Sequence, residues 1–546
     1  MQLSSLLLGG KGEVMTSLFT VTFIVFFLLP AIVIYSLCPQ RVKKYFLLAA
    51  SIAFFWLISG TLVVHLLLTV LGVHYFGLWL ESIKAQQAAA VAAADKAERK
   101  AVKRRFQQKS RRILALAAAI HIGVLLTVKY SAFFTCNINT LLAAVGAPIQ
   151  LAIPKYLMPI GISFYTLQAV SYLFDVYRGV IKADGNLPRL ALFMSFFPQI
   201  IEGPICRYSQ TAEQLWSVKA ITAENFSLGA RRLIFGLMKK LVIADRLNPL
   251  IKAVFDNDGY RQFSGGVIAV AAVCYTLQLY MDFSGTMDAV VGIGRIFGIE
   301  MPENFERPFF SRSISEFWKR WHITLGAWFK DYIFYPVTMS KPMKSLTSHA
   351  RKRLGNHFGP LVAGSIALFC VWICNGLWHG AAWSYIFFGM YHFVLILLGN
   401  LTSPASKWAL SKLHIKPESL PWRIFQILRT SVLVVIGELF FRAPGLKTGL
   451  RIFRRMVTRP QLGEVDAELF KKLGVDISDL AIVAVCALII FAVSLMRENG
   501  IKVNEAVSRR PRAVRWAVTL AMIMFIVIFG AYGKGYVPVD PMYANF

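Results

Sequence analysis

The chain has 546 residues, of which 56% are hydrophobic and only 16% are charged. This balance excludes an ordinary soluble, fibrous or disordered protein and predicts a multi-pass membrane protein. The formal net charge is +30, from 59 Lys and Arg against 29 Asp and Glu. Because the basic residues lie between apolar runs, we expect them to orient the spans and contact anionic lipid headgroups, and we expect no nucleic acid as a partner.

The apolar runs predict an all-α, multi-pass fold with about 10–12 membrane-associated helices, since a span needs about 20 apolar residues. The run at 189–201 contains Pro198 and predicts a broken or re-entrant helix. No repeat or long linker divides the chain, so we expect one membrane-embedded domain over 1–546. The predicted spans are 18–37, 45–59, 61–81, 113–134, 156–177, 189–201, 265–283, 360–377, 382–399, 423–441, 478–496 and 514–532.

The distribution of Lys and Arg predicts the orientation of the chain. Residues 84–112 carry ten Lys and Arg and predict an Ala-rich basic helix outside the bilayer. Because positive loops remain in the cytoplasm, we expect 84–112 and the basic cluster at 341–353 to be cytoplasmic. The stretches 442–459 and 497–515 are both basic although one predicted span separates them. Either one of them breaks the charge rule, or that span does not cross.

The segment 311–335 is the most informative part of the chain. Ser313 and Glu316 form a capping-box pattern, and large apolar residues then recur at helical spacing. This pattern predicts one tryptophan-rich interfacial helix with His322 on its apolar face. Burial would keep that imidazole neutral at pH 7, as a general base requires. A histidine that only donates to a neighbouring backbone carbonyl is the structural alternative.

A second polar cluster interrupts the apolar sequence CNGLWHGAAW at His379, next to Asn375 and Trp378. Polar residues beside glycine within a membrane often mark a site, although an interfacial turn would give the same pattern. The seven cysteines are scattered and predict neither a disulfide framework nor a metal site.

A third cluster, YMDFSGTMD, places Asp282 and Asp288 at the end of a predicted span. Carboxylates so close to hydrocarbon are costly unless they are paired. We expect donors such as Arg295 or Arg307 to pair with them. The cluster does not indicate a particular reaction.

Together these motifs resemble the bacterial branch of the membrane-bound O-acyltransferase superfamily, in particular the membrane subunit of alginate-type polysaccharide O-acetyltransferases. The resemblance covers most of a core at about 155–400. It implies many helices around a funnel or tunnel, with His322 near the membrane interior. The segments that carry it are PIGISFYTLQAVSYLFDVYRG, SFFPQIIEGPICRY, YMDFSGTMD, ENFERPFFSRSISEFWKRWHITLGAWFKDYIFYP and NGLWHGAAW.

The resemblance also implies roles for individual residues. It makes His322 the catalytic histidine and His379 the second histidine of the active site. The supporting candidates that it implies are Asp282, Ser284, Asn304, Arg307, Asn375 and Trp378.

The function implied is transfer of an acyl group, most simply acetyl, across the inner (cytoplasmic) membrane for O-acylation of an extracytoplasmic polysaccharide. The donor would be a cytoplasmic thioester, acetyl-coenzyme A or an acylated carrier protein, with no bound cofactor. An extracytoplasmic partner with a serine esterase-like domain would complete the transfer. The D-alanyl transfer protein of teichoic acid modification is similar over the same core, so D-alanyl transfer is the alternative reaction. A glycan flippase or transporter is the alternative from another class of protein.

Overall fold

The computed structural model describes residues 18–463, 465–532 and 539. Helices account for 78% of the residues. Within these described residues, eight helices are long and apolar enough to cross a bilayer. In the part of the chain that the structure describes, the only extended pairing is a single bridge between Phe305 and Trp321. The predicted all-α, multi-pass fold is therefore confirmed.

The described residues form two compact units. The first unit contains the described residues up to 230 together with 290–302. Aromatic side chains from helices distant in sequence meet in its core, where the rings of Phe197 and Phe297 lie 5.9 Å apart. Its helices are α1 (Val21–Leu37), α2 (Lys43–Ser59), α3 (Val63–Ala93), α4 (Arg99–Ala144), α5 (Ile162–Arg178), α6 (Leu187–Ser195), α7 (Tyr208–Ser217) and the start of α8 (Ala223–Met238).

Two predictions fall within the first unit. The run at 189–201 does not form a crossing helix: α6 ends at Ser195, before Pro198, and the chain continues in turns. The prediction of a broken helix is confirmed. The basic stretch 84–112 is helical on both sides of a break at 94–98, because α3 runs on to Ala93 and α4 begins at Arg99. It therefore forms the ends of two long helices and not one separate helix.

The second unit contains the described residues of 231–289 and 303–540. A π-helical turn at Lys239–Ala244 packs in its core, where Val242 and Ile243 meet Val483 and Ile490. Its helices are the end of α8, α9 (Asp245–Phe255), α10 (Gly265–Ile296, up to 289), α11 (Ile314–Arg320), α12 (Ile323–Phe329), α13 (Tyr335–Thr338), α14 (Lys341–His379), α15 (Trp383–Lys412), α16 (Leu420–Arg442), α17 (Leu446–Thr458), α18 (Ala467–Leu473), α19 (Ile477–Glu498), α20 (Val503–Ser508) and α21 (Arg512–Phe529).

Ion pairs show which loops of the second unit lie close together, and they define two sides of this unit. Arg312 pairs with Glu418 in the α15–α16 connection, and Arg320 pairs with Glu498 at the end of α19. We call this the Glu498 side. At the other end of α16, Arg442 pairs with Asp256. We call this the Arg442 side. The basic stretches 442–459 and 497–515 flank the apolar helix α19, which is long enough to cross a bilayer, so one of them breaks the charge rule if α19 crosses.

Candidate active site

The chain around His322 is held by backbone pairing between two short segments. Phe305 and Trp321 form the bridge, and the Glu306 N–H donates to the Arg320 carbonyl at 2.9 Å. The Ile323 N–H donates to the Asn304 carbonyl at 3.0 Å. This pairing competes with helical hydrogen bonding. The predicted single helix over 311–335 is therefore wrong: α11 ends at Arg320 and α12 begins at Ile323.

His322 occupies the break between these helices with φ 46° and ψ 52°. A non-glycine residue in this left-handed region costs on the order of 1–3 kcal/mol and persists only where the surroundings impose it. The side chain is buried, with 2% of the residue exposed. The prediction that His322 points into the protein is confirmed, although it does so from a bend and not from a helix face.

Asn304 determines the orientation and the tautomer of His322. The Thr324 backbone N–H donates to Asn304 Oδ1 at 3.0 Å, and the Thr324 hydroxyl donates to the same oxygen at 2.9 Å. Because a backbone N–H can only donate, this contact identifies the oxygen of the amide. His322 Nδ1 lies 3.2 Å from that oxygen, so Nδ1 must carry the proton. The lone pair is therefore on Nε2.

Aromatic rings surround the imidazole of His322. Phe283 and Trp378 contact it edge to face, with ring centroids 4.9 Å and 5.5 Å away. His322 lies outside the candidate membrane-spanning helices. Burial among these rings lowers the pKa of His322 well below its usual range. The imidazole is consequently neutral at pH 7, the state in which Nε2 can accept a proton.

The structure brings His379 to the same group of side chains. His379 ends α14 and is buried, and its ring lies 5.1 Å from that of Trp378. The indole of Trp378 is therefore in contact with both histidines. Asn375 lies one turn earlier on α14 and is buried as well. Four candidates from the sequence, His322, His379, Asn304 and Trp378, thus form one connected cluster.

Three other candidates lie apart from His322. Asp282 pairs with Lys240 at 2.6 Å, and Ser284 Oγ accepts from Lys239 Nζ at 3.2 Å. The guanidinium of Arg307 pairs with Glu498 at 2.7 Å. Among the described residues, none of these three side chains forms a hydrogen bond or an ion pair with the imidazole of His322.

The prediction that Arg295 or Arg307 pairs with Asp282 and Asp288 is wrong. Asp282 is paired with Lys240, and Asp288 with Lys239 at 2.6 Å and with Arg232 at 3.0 Å. Adjacent lysines can both turn inward here because they begin the π-helical turn, whose register differs from that of an α-helix. Arg295 instead pairs with Glu300.

Sequence reasoning missed Thr324 and the lysine pair. Two adjacent lysines within the apolar run LIFGLMKKLVIA are a signal for buried ion pairing. Thr324 carried no comparable signal, because its role depends on a contact with a residue twenty positions earlier in the chain.

The fold and the site define a multi-pass helical membrane protein with a buried histidine at the centre of a polar cluster. The family model for membrane-bound O-acyltransferases matches residues 179–415. A probable alginate O-acetylase of Pseudomonas aeruginosa is 32% identical over 78% of this chain and 71% of its own length. The chain therefore belongs to the membrane-bound O-acyltransferase family.

Two further relatives match similar lengths. A probable alginate O-acetylase of Pseudomonas syringae pv. tomato is 34% identical over 64% of this chain. A peptidoglycan O-acetyltransferase of Helicobacter pylori is 31% identical over 63% of it. The alignments span 61% and 64% of those two relatives.

Proposed function

We propose that this protein is an inner-membrane O-acyltransferase that passes an acetyl group from a cytoplasmic thioester toward a hydroxyl of an extracytoplasmic polysaccharide. The observation that carries the proposal is the state of His322, which is buried and neutral, with Nδ1–H held by Asn304 and the lone pair on Nε2. Family membership and the relatives named for O-acetylation of alginate and peptidoglycan support the same reaction class.

The chemical step needs one proton acceptor and no redox change. The acceptor hydroxyl oxygen attacks the thioester carbonyl carbon while Nε2 of His322 takes the hydroxyl proton. The carbon–sulfur bond then breaks, and the imidazolium returns the proton to the thiolate. Asn304 keeps the imidazole in the productive tautomer. His379, whose ring contacts that of Trp378, is a positioning residue in this scheme.

The proposed direction of acyl transfer depends on which side of the second unit faces the cytoplasm. If 341–353 is cytoplasmic, the crossings of α14, α15, α16 and α19 place the Glu498 side in the cytoplasm and the Arg442 side outside. The stretch that breaks the charge rule is then 442–459. Cysteines introduced within 341–353 should resist an impermeant thiol reagent added to intact cells. Labelling from outside would reverse the proposed direction.

The donor and the partner follow from the reaction class. We propose acetyl-coenzyme A as donor, with an acylated carrier protein as the alternative, and an extracytoplasmic serine esterase-like protein that receives the acetyl group. D-alanyl transfer would require a carrier protein. Transfer by the purified protein that occurs only with an acylated carrier would therefore contradict the acetyl-coenzyme A assignment.

The test is transfer of labelled acetyl from acetyl-coenzyme A by the full chain in lipid nanodiscs, supplied with an oligosaccharide acceptor and membrane extract as the source of the partner. His322→Ala should reduce the rate about 10²- to 10⁴-fold, the typical contribution of general base catalysis. The exposed His349 gives the matched control His349→Ala, which should transfer at the wild-type rate. Wild-type transfer by His322→Ala, or glycan translocation without acyl transfer, would contradict the proposal.

A further inference from the structure

The basic stretch 442–459 lies outside the membrane in the proposed orientation, where Lys and Arg are normally scarce. The helix α17 occupies most of this stretch. Anionic lipids attract basic segments chiefly to the cytoplasmic leaflet, so contact with lipid does not account for a basic helix on the other face. The position of α17 therefore indicates an anion of another kind.

Three cations form one exposed row on α17. Lys447, Arg451 and Arg454 follow one another at steps of four and three residues, so they share a helix face and span about 10 Å along its axis. We call these three side chains the basic stripe. Among the described residues, none of them forms an ion pair or a side-chain hydrogen bond. Their charges are therefore available to a ligand.

An adjacent edge of α17 is apolar. Leu450 and Val457 are exposed there, as is typical of a helix that lies at a bilayer surface. The basic stripe lies about 80° further around the helix axis, at about 100° per residue. It remains accessible from water when the apolar edge contacts lipid.

Hydrogen bonds to the start of α10 hold α17 in place. The guanidinium of Arg455 donates to the carbonyls of Phe263 and Arg261, in both cases at 2.8 Å. The Gly265 N–H donates to the Arg459 carbonyl at 2.8 Å. A side chain at Gly265 would collide with that carbonyl oxygen, so the two segments pack backbone to backbone. The stripe is thus carried by a fixed helix, and a ligand need not order it on binding.

The helix α17 also packs close to the candidate active site. The ring of Phe453 lies 5.9 Å from that of Phe440 on α16. The next residue, Phe441, contacts the ring of His379, with 5.1 Å between centroids. One layer of aromatic side chains therefore separates α17 from the histidine cluster. A molecule held on α17 would lie at the Arg442 side of that cluster.

We propose that the basic stripe binds an anionic segment of the acceptor polysaccharide that carries carboxylates on successive sugars. The inference rests on the proposed function, which places this face outside and uses a polysaccharide as acceptor. Guanidinium groups hold carboxylates through two parallel N–H donors, and a row of cations matches a row of regularly repeated acidic groups. Protein partners generally dock through aromatic anchors, whereas the stripe offers charge alone. Binding would raise the concentration of acceptor hydroxyls near the site.

The first test measures binding of labelled oligogalacturonate to right-side-out membrane vesicles that contain the full chain, and it needs no turnover. The variant Lys447→Gln/Arg451→Gln/Arg454→Gln, called the stripe variant, should bind about tenfold more weakly, since each exposed charge contact contributes about two- to threefold. Arg451→Lys/Arg454→Lys keeps the charge and should bind within about threefold of the wild type. Methyl-esterified oligogalacturonate, which is neutral, should bind to none of them. Equal affinities of the wild type and the stripe variant for oligogalacturonate would overturn the inference.

The matched control is Arg509→Gln/Arg510→Gln/Arg512→Gln. It removes the same charge from exposed arginines of the other basic stretch, which faces the vesicle interior in the proposed orientation. This variant should bind oligogalacturonate as the wild type does. A loss equal to that of the stripe variant would show that net charge, and not α17, attracts the oligosaccharide, and the inference would be overturned.

The second test compares two acceptors in the acetyl transfer assay. With oligogalacturonate, the stripe variant should raise KM for the acceptor about tenfold and change kcat less than twofold. With the methyl-esterified oligosaccharide, KM should not respond to the substitutions. An equal response with both acceptors would show that the stripe docks a protein partner, and would overturn the inference.

Two further outcomes separate the stripe from lipid binding and from the proposed function. If phosphatidylglycerol added to the vesicles releases oligogalacturonate from the wild type, the stripe belongs to lipid headgroups and the inference is overturned. If binding depends on the stripe while no variant transfers acetyl, the surface assignment is supported and the proposed function fails.

Discussion

Two buried polar clusters of the second unit stabilise their polar groups in opposite ways. The groups that contact His322 here are neutral: the amide oxygen of Asn304, to which the Thr324 hydroxyl also donates, and the rings of Phe283 and Trp378. Around Lys240 the partners are charged, with Asp282 at 2.6 Å and Asp245 at 3.2 Å. The neutral cluster fixes one tautomer and keeps the imidazole uncharged. The charged cluster joins α10 to the π-helical turn. The first arrangement suits proton transfer, and the second suits structural linkage.

The largest expected effect is on the charged cluster. Lys240→Met leaves Asp282 and Asp245 buried without their cation, and removal of one partner of a buried ion pair typically costs about 3–5 kcal/mol. We expect a corresponding loss of folding stability, measured as the thermal midpoint of the detergent-solubilised protein.

The matched control is Lys472→Met. Lys472 forms an exposed pair with Glu468 at 2.7 Å, and such pairs contribute about 0–1 kcal/mol. If both substitutions lower the midpoint equally, the Lys240 cluster does not have the structural role assigned to it.

The next effect is on the neutral cluster, where the rate of acetyl transfer should fall. The free energy of unfolding should also decrease by about 1–3 kcal/mol, because the buried donors of Thr324 lose their acceptor. Asn304→Leu removes the acceptor of His322 Nδ1–H, so the productive tautomer is no longer favoured. Loss of the residue that orients a metal-bound histidine typically costs about 10- to 100-fold, and we take the same range for this metal-independent histidine. We expect that decrease in kcat for acetyl transfer, with KM almost unchanged.

Asn304→Asp provides the conservative comparison. It retains an acceptor for Nδ1–H, and its negative charge favours the imidazolium, which raises the pKa of His322. We expect partial activity, with an acid limb at higher pH than in the wild type. Wild-type rates in Asn304→Leu would show that Asn304 does not orient the histidine.

Thr324→Val should have a smaller effect. It removes only the hydroxyl that donates to Asn304 Oδ1 at 2.9 Å and leaves the backbone donor in place. One neutral hydrogen bond contributes about 0.5–1.5 kcal/mol, so kcat should fall about two- to tenfold. Thr338→Val, whose hydroxyl bonds to a helix carbonyl outside the cluster, should not change kcat. Equal rates for the two variants would argue against a role for Thr324.

The sequence predicted which residues are buried better than it predicted how they are paired. Hydropathy identified most spans, and Pro198 marked the broken helix, because both signals are local. The bend at His322 could not be found in this way, since it depends on pairing with Asn304–Glu306, more than a dozen residues earlier. Periodicity of the apolar residues around it continued across the break and predicted one helix.

The carboxylates show the same limit. Because unpaired carboxylates are costly in an apolar setting, we correctly predicted that cations pair with them. We chose Arg295 and Arg307 as the partners because these residues are near in sequence. The real partners, Lys239 and Lys240, are more than forty residues away in sequence. Only the packing of α10 against the π-helical turn brings them together.

The smallest expected effect is the response of acetyl transfer to pH. An unperturbed histidine titrates near 6.5, so a base with that pKa would lose most of its activity between pH 7.5 and 5.5. Burial lowers the pKa of His322 well below this range, and the neutral form therefore persists as the pH falls. The lowered pKa reduces folding stability at acid pH. The unfolded chain binds a proton at His322 below about pH 6.5 and the folded site does not, so the free energy of unfolding decreases as the pH decreases. We expect kcat for acetyl transfer to stay constant within about twofold from pH 8 to pH 6, while the thermal midpoint decreases below pH 6.5.

The profile should be measured at saturating acetyl-coenzyme A, so that donor binding does not contribute. An acid limb at pH 6.5 that moves with Asn304→Asp would show that His322 titrates normally and that its neutrality does not come from burial.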